Sequence, residues 1–267
     1  QSDLKQQTSL EDVIPIGEHE EEVSEGGKTV RHKGIYLLPN LFTLAAMFAG
    51  FYSVISAMNG HFEIAAIAIF VAMILDGLDG RIARMTNTQS AFGAEFDSLA
   101  DMVSFGVAPA LVSFTWALSS LGRIGWAVAF IYVAGTAIRL ARFNTQIETA
   151  DKSYFTGLAS PAAAALVAGM VWICNDYGLV GENLPLVVSI LAAITTALAG
   201  VLMVTNIPYS SFKEIDFKSR VPFVTILVVA LGFAVITVDP PLIMLVIFGG
   251  YALSGPVILV MKKAGRK

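Results

Sequence analysis

Of the chain's 267 residues, 55% are hydrophobic and 14% charged, a mix far from that of a soluble globular domain. Seventeen basic and 21 acidic residues give a formal charge of -4; eight of the acids precede Lys28, so the remainder is net basic at 16 against 13, but no dense basic stripe remains outside the hydrophobic runs and no nucleic-acid partner is expected. The single cysteine, Cys174, excludes an internal disulfide and a thiolate metal cluster.

Residues 1 to 33 are polar, with the acidic run Glu18 to Glu22, and read as a cytoplasmic tail too poor in apolar surface to fold alone. The first apolar block lies far downstream, so no secretory signal peptide is expected. A membrane-embedded catalytic domain is expected over 34–262, followed by a basic cytoplasmic end, 263–267. It holds eight apolar stretches, about 35–58, 61–82, 98–118, 122–143, 156–175, 183–206, 220–237 and 241–261. At about 1.5 Å rise per residue each can span a hydrocarbon core of about 30 Å. The fold expected is therefore an all-α integral membrane protein with eight transmembrane helices.

Basic residues accumulate in cytoplasmic connections. Eight crossings with both termini cytoplasmic put 16 of the 17 lysines and arginines inside, with Arg123 alone outside. Trp116, Trp126, Trp172 and Tyr177 then all fall at outer helix ends, where amphipathic rings favour the headgroup level. Small residues crowd the fifth stretch from Ala159 to Gly169 and permit close helix packing.

The second stretch ends Asp76-Gly77-Leu78-Asp79-Gly80-Arg81-Ile82-Ala83-Arg84, and the third opens Gly93-Ala94-Glu95-Phe96-Asp97-Ser98-Leu99-Ala100-Asp101. Three- and four-residue separations place each pair of aspartates on one helical face. On adjacent antiparallel helices the two pairs can meet. Four carboxylates in low dielectric repel one another unless cations compensate, and oxygen-only donors point to Mg2+ or Mn2+ rather than zinc. Neither His32 nor His61 has a partner motif. Gly77, Gly80 and Gly93 leave room beside the acids, although for Gly77 taken alone close helix contact is nearly as good an account. A cation-coupled transporter is the rival class, but it would need acids near the midplane and internal repeats.

The string from Asp76 to Asp101 resembles the signature of the CDP-alcohol phosphatidyltransferase family at all eight fixed positions. The resemblance implies two divalent ions bound by Asp76, Asp79, Asp97 and Asp101, with Asp101 also the base for the incoming alcohol. It further implies that Gly80, Ala83, Arg84 and Gly93 line the cytidine and phosphate pocket, and that the enzyme is a homodimer among membrane lipids. The donor would be CDP-diacylglycerol or a CDP-ether lipid, and the leaving group CMP. Such displacement is sensible chemistry, since metals neutralise a diphosphate while a carboxylate takes the hydroxyl proton. The helix ends put the site at the cytoplasmic face of the cell membrane.

Flanking strings bear on the acceptor. Arg139-Leu140-Ala141-Arg142-Phe143-Asn144 and Phe155-Thr156-Gly157-Leu158-Ala159-Ser160-Pro161-Ala162 resemble the branch of that family that uses L-serine, except that Ala159 stands where the branch has proline. Pro39-Asn40-Leu41-Phe42-Thr43 and Met203-Val204-Thr205-Asn206 resemble it too. Arg139 and Arg142, three apart on one face, could fix the serine carboxylate or a lipid phosphate, with Asn144 and Lys152 close behind. Asn40 and Thr43 could hydrogen-bond cytidine or serine, and helix capping by Asn40 is an equal alternative. Tyr209, Ser211 and Lys213 form a weaker surround. Glycerol phosphate or inositol phosphate as acceptor is the alternative within the same chemistry.

Overall fold

The computed structural model describes residues 23–25, 28–30, 37–86, 88, 90–146, 154–181, 184–210, 231–232, 234 and 236–264. Its frame is helical. Helix α1 is Leu37–Met58, α2 Phe62–Met85 and α3 Ala91–Asp101; α3 continues without a break through a π-helical stretch, Met102–Val107, into α4, Ala108–Trp116. A short 3-10 turn, Leu118–Leu121, leads to α5, Arg123–Gln146; α6 is Ser160–Asp176, α7 Leu186–Val204 and α8 Pro240–Ala264. Among the described residues five helical runs are long and apolar enough to cross a membrane: Leu38–Met58, Phe92–Trp116, Arg123–Thr145, Leu186–Val204 and Pro240–Met261. Helix α2 carries Asp76, Asp79, Arg81 and Arg84 in its last turns, and α6 has 17 residues. Most of the expected stretch 220–237, the tail outside 23–25 and 28–30, and the end after 264 lie outside the described residues.

Two features depart from the plain bundle. The third helix begins at Ala91, two residues before the expected opening at Gly93 and well before the apolar stretch near 98, because Ser90 caps it, its Oγ accepting from Gly93 N at 2.9 Å. A capped start satisfies orphan amides and lets a helix extend into polar sequence that hydropathy alone would cut off. The fifth run begins at Ser160, not 156. Residues Tyr154–Thr156 form β3, paired antiparallel with β4, Pro208–Ser210. A second antiparallel pair joins β1, Val23–Glu25, to β2, Lys28–Val30.

Small side chains set the packing. Ala162 to Ala165, Val167 and Ala168 of α6 are buried, and α6 packs against α2, α4, α7 and α8. Helices α5 and α7 cross where Gly135 meets Gly200, and a β-carbon on Gly135 would stand 2.3 Å from the Gly200 carbonyl oxygen. Helix α1 approaches the π-helical stretch as closely at Gly50, where a β-carbon would lie 2.6 Å from Ser104 Cα; Ser104 Oγ donates to Ala46 O at 3.0 Å beside it. Hydroxyl bonds such as Ser113 with Thr196 at 3.1 Å satisfy polar groups inside the bundle, as a membrane interior requires. Trp116, at the end of α4, donates from Nε1 to Leu179 O at 2.9 Å. Trp126 opens α5 and Trp172 closes α6, so the three indoles share the end of the bundle opposite the aspartates.

Candidate active site

Three of the four aspartates converge. Asp76 from α2 and Asp97 and Asp101 from α3 each offer an oxygen within 4.8 Å of the others, and all three are half-buried. The convergence follows from the four-residue step between Asp97 and Asp101, about 40° round a helix, and from antiparallel α2 and α3 meeting at their polar ends. Asp101 Oδ1 is buried without a hydrogen-bond partner.

Asp79 behaves differently. It is 5% exposed, and its Oδ2 accepts from Thr43 Oγ1 of α1 at 2.7 Å. It remains an electrostatic neighbour of Asp76 and Asp97, but stands outside the three-carboxylate group. Thr43, expected at the substrate, is 4% exposed and spends its hydroxyl on Asp79, with a longer contact of 3.2 Å to Pro39 O. Its place is behind the carboxylates, where it orients Asp79.

Asn40 is the fourth residue of α1, so it is not the helix cap of the alternative above. A β-carbon on Gly93 would stand 3.5 Å from Asn40 Oδ1 and 3.1 Å from Ser90 Oγ, which puts Asn40 at the mouth of α3. Gly77 and Gly80 face open space, with nothing among the described residues within 4 Å of an added β-carbon. Among the described residues no neighbouring helix meets Gly77 there. Ala83 is half-buried and Arg84 exposed on the same end of α2.

The two arginines of α5 part company. Arg139 donates from Nη1 to Ser160 Oγ at 2.7 Å, and its Nε is buried without a partner. Asp101, Tyr132 and Tyr251 are its electrostatic neighbours. Arg142 is half-buried with no side-chain bond among the described residues. Asn144 meets Ser98 Oγ at 3.1 Å from Nδ2, tying the end of α5 to α3 between the two aspartates of that helix. Lys152, Ser211 and Lys213 lie outside the described residues. Tyr209 is fully buried, donating to Ala252 O of α8 at 3.0 Å; burial pushes its phenol up to about 12, so it remains a donor.

Sequence reasoning passed over Ser90, Ser98, Tyr132 and Ser160. Ser90 had a legible signal, a serine just before a helical pattern. The buried Tyr132, which donates to Phe105 O of the π-helical stretch at 3.0 Å, had none, since its role depends on a carbonyl freed by irregular helix.

Fold and site together define a helical membrane protein whose oxygen-donor cluster sits at one end of the bundle. A family model described as CDP-alcohol phosphatidyltransferase matches residues 36–208, from just before α1 into β4, and the chain belongs to that family. It is 44% identical over 200 residues to the CDP-diacylglycerol–serine O-phosphatidyltransferase of Helicobacter pylori, covering 74% of this chain and 82% of that one. The protein of the same name from Mycobacterium bovis is 32% identical over 232 residues, covering 84% and 79%. A third, from Methanocaldococcus jannaschii, is 40% identical over 146 residues, covering 55% and 63%.

Proposed function

We propose that the protein transfers the phosphatidyl group of CDP-diacylglycerol, or of an ether-lipid analogue, to the hydroxyl of L-serine and releases CMP. The observation that carries this reading is the meeting of Asp76, Asp97 and Asp101 within 4.8 Å, beside open helix surface at Gly77 and Gly80. The acceptor is supported by the names of the relatives and by Arg139, a half-buried arginine that interacts electrostatically with Asp101.

The residues fit a divalent cation. Three carboxylates this close repel one another, and Asp101 Oδ1 lacks any protein donor, as an oxygen reserved for a hard cation would. Asp76, Asp97 and Asp101 would hold Mg2+ or Mn2+, with Asp79 completing a place for a second ion. Bound there, the ions supply charge neutralisation to the diphosphate and its leaving phosphate. Asp101 takes the serine hydroxyl proton as the serine oxygen bonds to the lipid-bearing phosphorus; the bond from that phosphorus to CMP breaks, and CMP leaves with the electron pair. Arg139 and Arg142 face the anionic groups of acceptor or lipid, with Asn40 and Gly93 at the mouth. Gly80, Ala83 and Arg84 are assigned to the cytidine and phosphate end, and Asn144 holds α5 against α3.

The same reading places the chain in the cell membrane with eight crossings, both termini cytoplasmic, the site at the cytoplasmic face, and two copies per working unit. It is supported by the distribution of basic residues and by tryptophans at the opposite end. Purified protein in detergent, given CDP-diacylglycerol with serine, glycerol phosphate and inositol phosphate in competition, should yield the serine product by mass spectrometry. CMP release should vanish with EDTA, return with Mg2+ or Mn2+, and fall in Asp101→Asn by about 100-fold or more. Full activity in Asp97→Ala would overturn the assignment.

A further inference from the structure

A guanidinium on a long flexible stem, buried beside a carboxylate, ordinarily closes onto it as a charge-assisted pair. Arg139 and Asp101 are such neighbours, yet Arg139 Nε and Asp101 Oδ1 are both buried and unpartnered. Leaving two complementary groups unpaired within each other's field is unfavourable unless something holds them apart. Among the described residues the guanidinium makes one side-chain hydrogen bond, from Nη1 to Ser160 Oγ at 2.7 Å.

Ser160 is a rigid anchor. It is 0% exposed and opens α6. The approach to it is locked: Gly157, at φ +83°, donates from its N to Ile207 O at 2.9 Å, and Leu158 N donates to Leu202 O at 3.0 Å. A β-carbon on Gly157 would stand 2.4 Å from Met203 O, so this loop fits only as glycine and cannot slide along α7. The Gly157–Ile207 bond continues the β3–β4 ladder, in which Thr156 pairs with Pro208.

We propose that Ser160 is a positioning residue that tethers the Arg139 guanidinium away from Asp101, keeping the aspartates open to a divalent ion and the arginine open to an anionic group. The inference rests on the aspartates being a cation site. Without the tether the arginine swings onto Asp101 and competes with the ion.

The test is Mn2+ binding to the full-length protein in detergent, followed by electron paramagnetic resonance in the absence of CDP-lipid. Ser160→Ala should weaken Mn2+ binding about tenfold, the size expected for one charge-assisted bond. Ser160→Thr, which keeps the hydroxyl, should bind as the parent does. The decisive variant is Ser160→Ala/Arg139→Gln: with the competing charge gone, affinity should return to the parent value or better, which mere loosening of the fold would not produce. Parent-like binding by Ser160→Ala, or a double variant as weak as the single one, overturns the tether. If Ser160→Ala aggregates on size exclusion, Ser160→Cys, similar in shape but a poor acceptor, carries the same comparison. Failure of the parent to bind Mn2+ would remove the cation site itself, whereas parent binding indifferent to Ser160 would remove only the tether.

Discussion

Thr43 and Asp79 form a buried pair in which one hydroxyl satisfies one carboxylate. Replacing Thr43 with valine keeps the shape and removes the donor, leaving a buried acceptor unmet. Thr43→Val should lower stability by about 1–3 kcal/mol and reduce CMP release, while Thr43→Ser should preserve both; thermal unfolding in detergent and a CMP assay check this. The spacing of the aspartates told which helix faces they share, but not that Asp79 would turn to α1. Asp76 and Asp79 differ by about 60° round the helix, and that small rotation decides between the open cluster and the threonine. Arg139 was legible as a cation near the site, yet its partner Ser160 is 21 residues away, a distance that only the tertiary fold closes.

At the level of helices, apolar runs marked the frame well, since lipid-facing segments cannot leave backbone groups unsatisfied. The aspartate-bearing helix opening at Gly93 came within two residues of the start at Ala91 that Ser90 caps, whereas the fifth stretch began too early because a strand pair occupies Tyr154–Thr156. The π-helical stretch after Asp101 was invisible, because no residue type demands it; Met102–Val107 owes its shape to Gly50, Ser104 and Tyr132 around it. Gly50→Ala would drive a β-carbon into Ser104 backbone, so it should destabilise by about 1–3 kcal/mol and cut activity by shifting Asp97 and Asp101 against Asp76, measurable by unfolding and by CMP release. The position where this chain departs from its branch behaves oppositely. Ala159 has φ -63°, the value a proline ring fixes, and no hydrogen bond from its N–H among the described residues. Ala159→Pro should therefore raise stability by about 0.4–1 kcal/mol, seen as a higher midpoint of thermal unfolding with activity retained.

For the molecule as a whole, the proposed orientation rests on charge and indole placement and not on contacts, because bilayer and headgroups sort such residues independently of packing. With Cys174 replaced by serine, Arg84→Cys and Arg123→Cys should react with an impermeant maleimide from opposite sides of sealed vesicles; labelling from the same side would refute the single crossing, Phe92–Trp116, between them. The three converging carboxylates occupy only one end of the bundle. On the proposed function, new headgroups enter one leaflet, and finished lipid reaches the opposite monolayer only by crossing the bilayer.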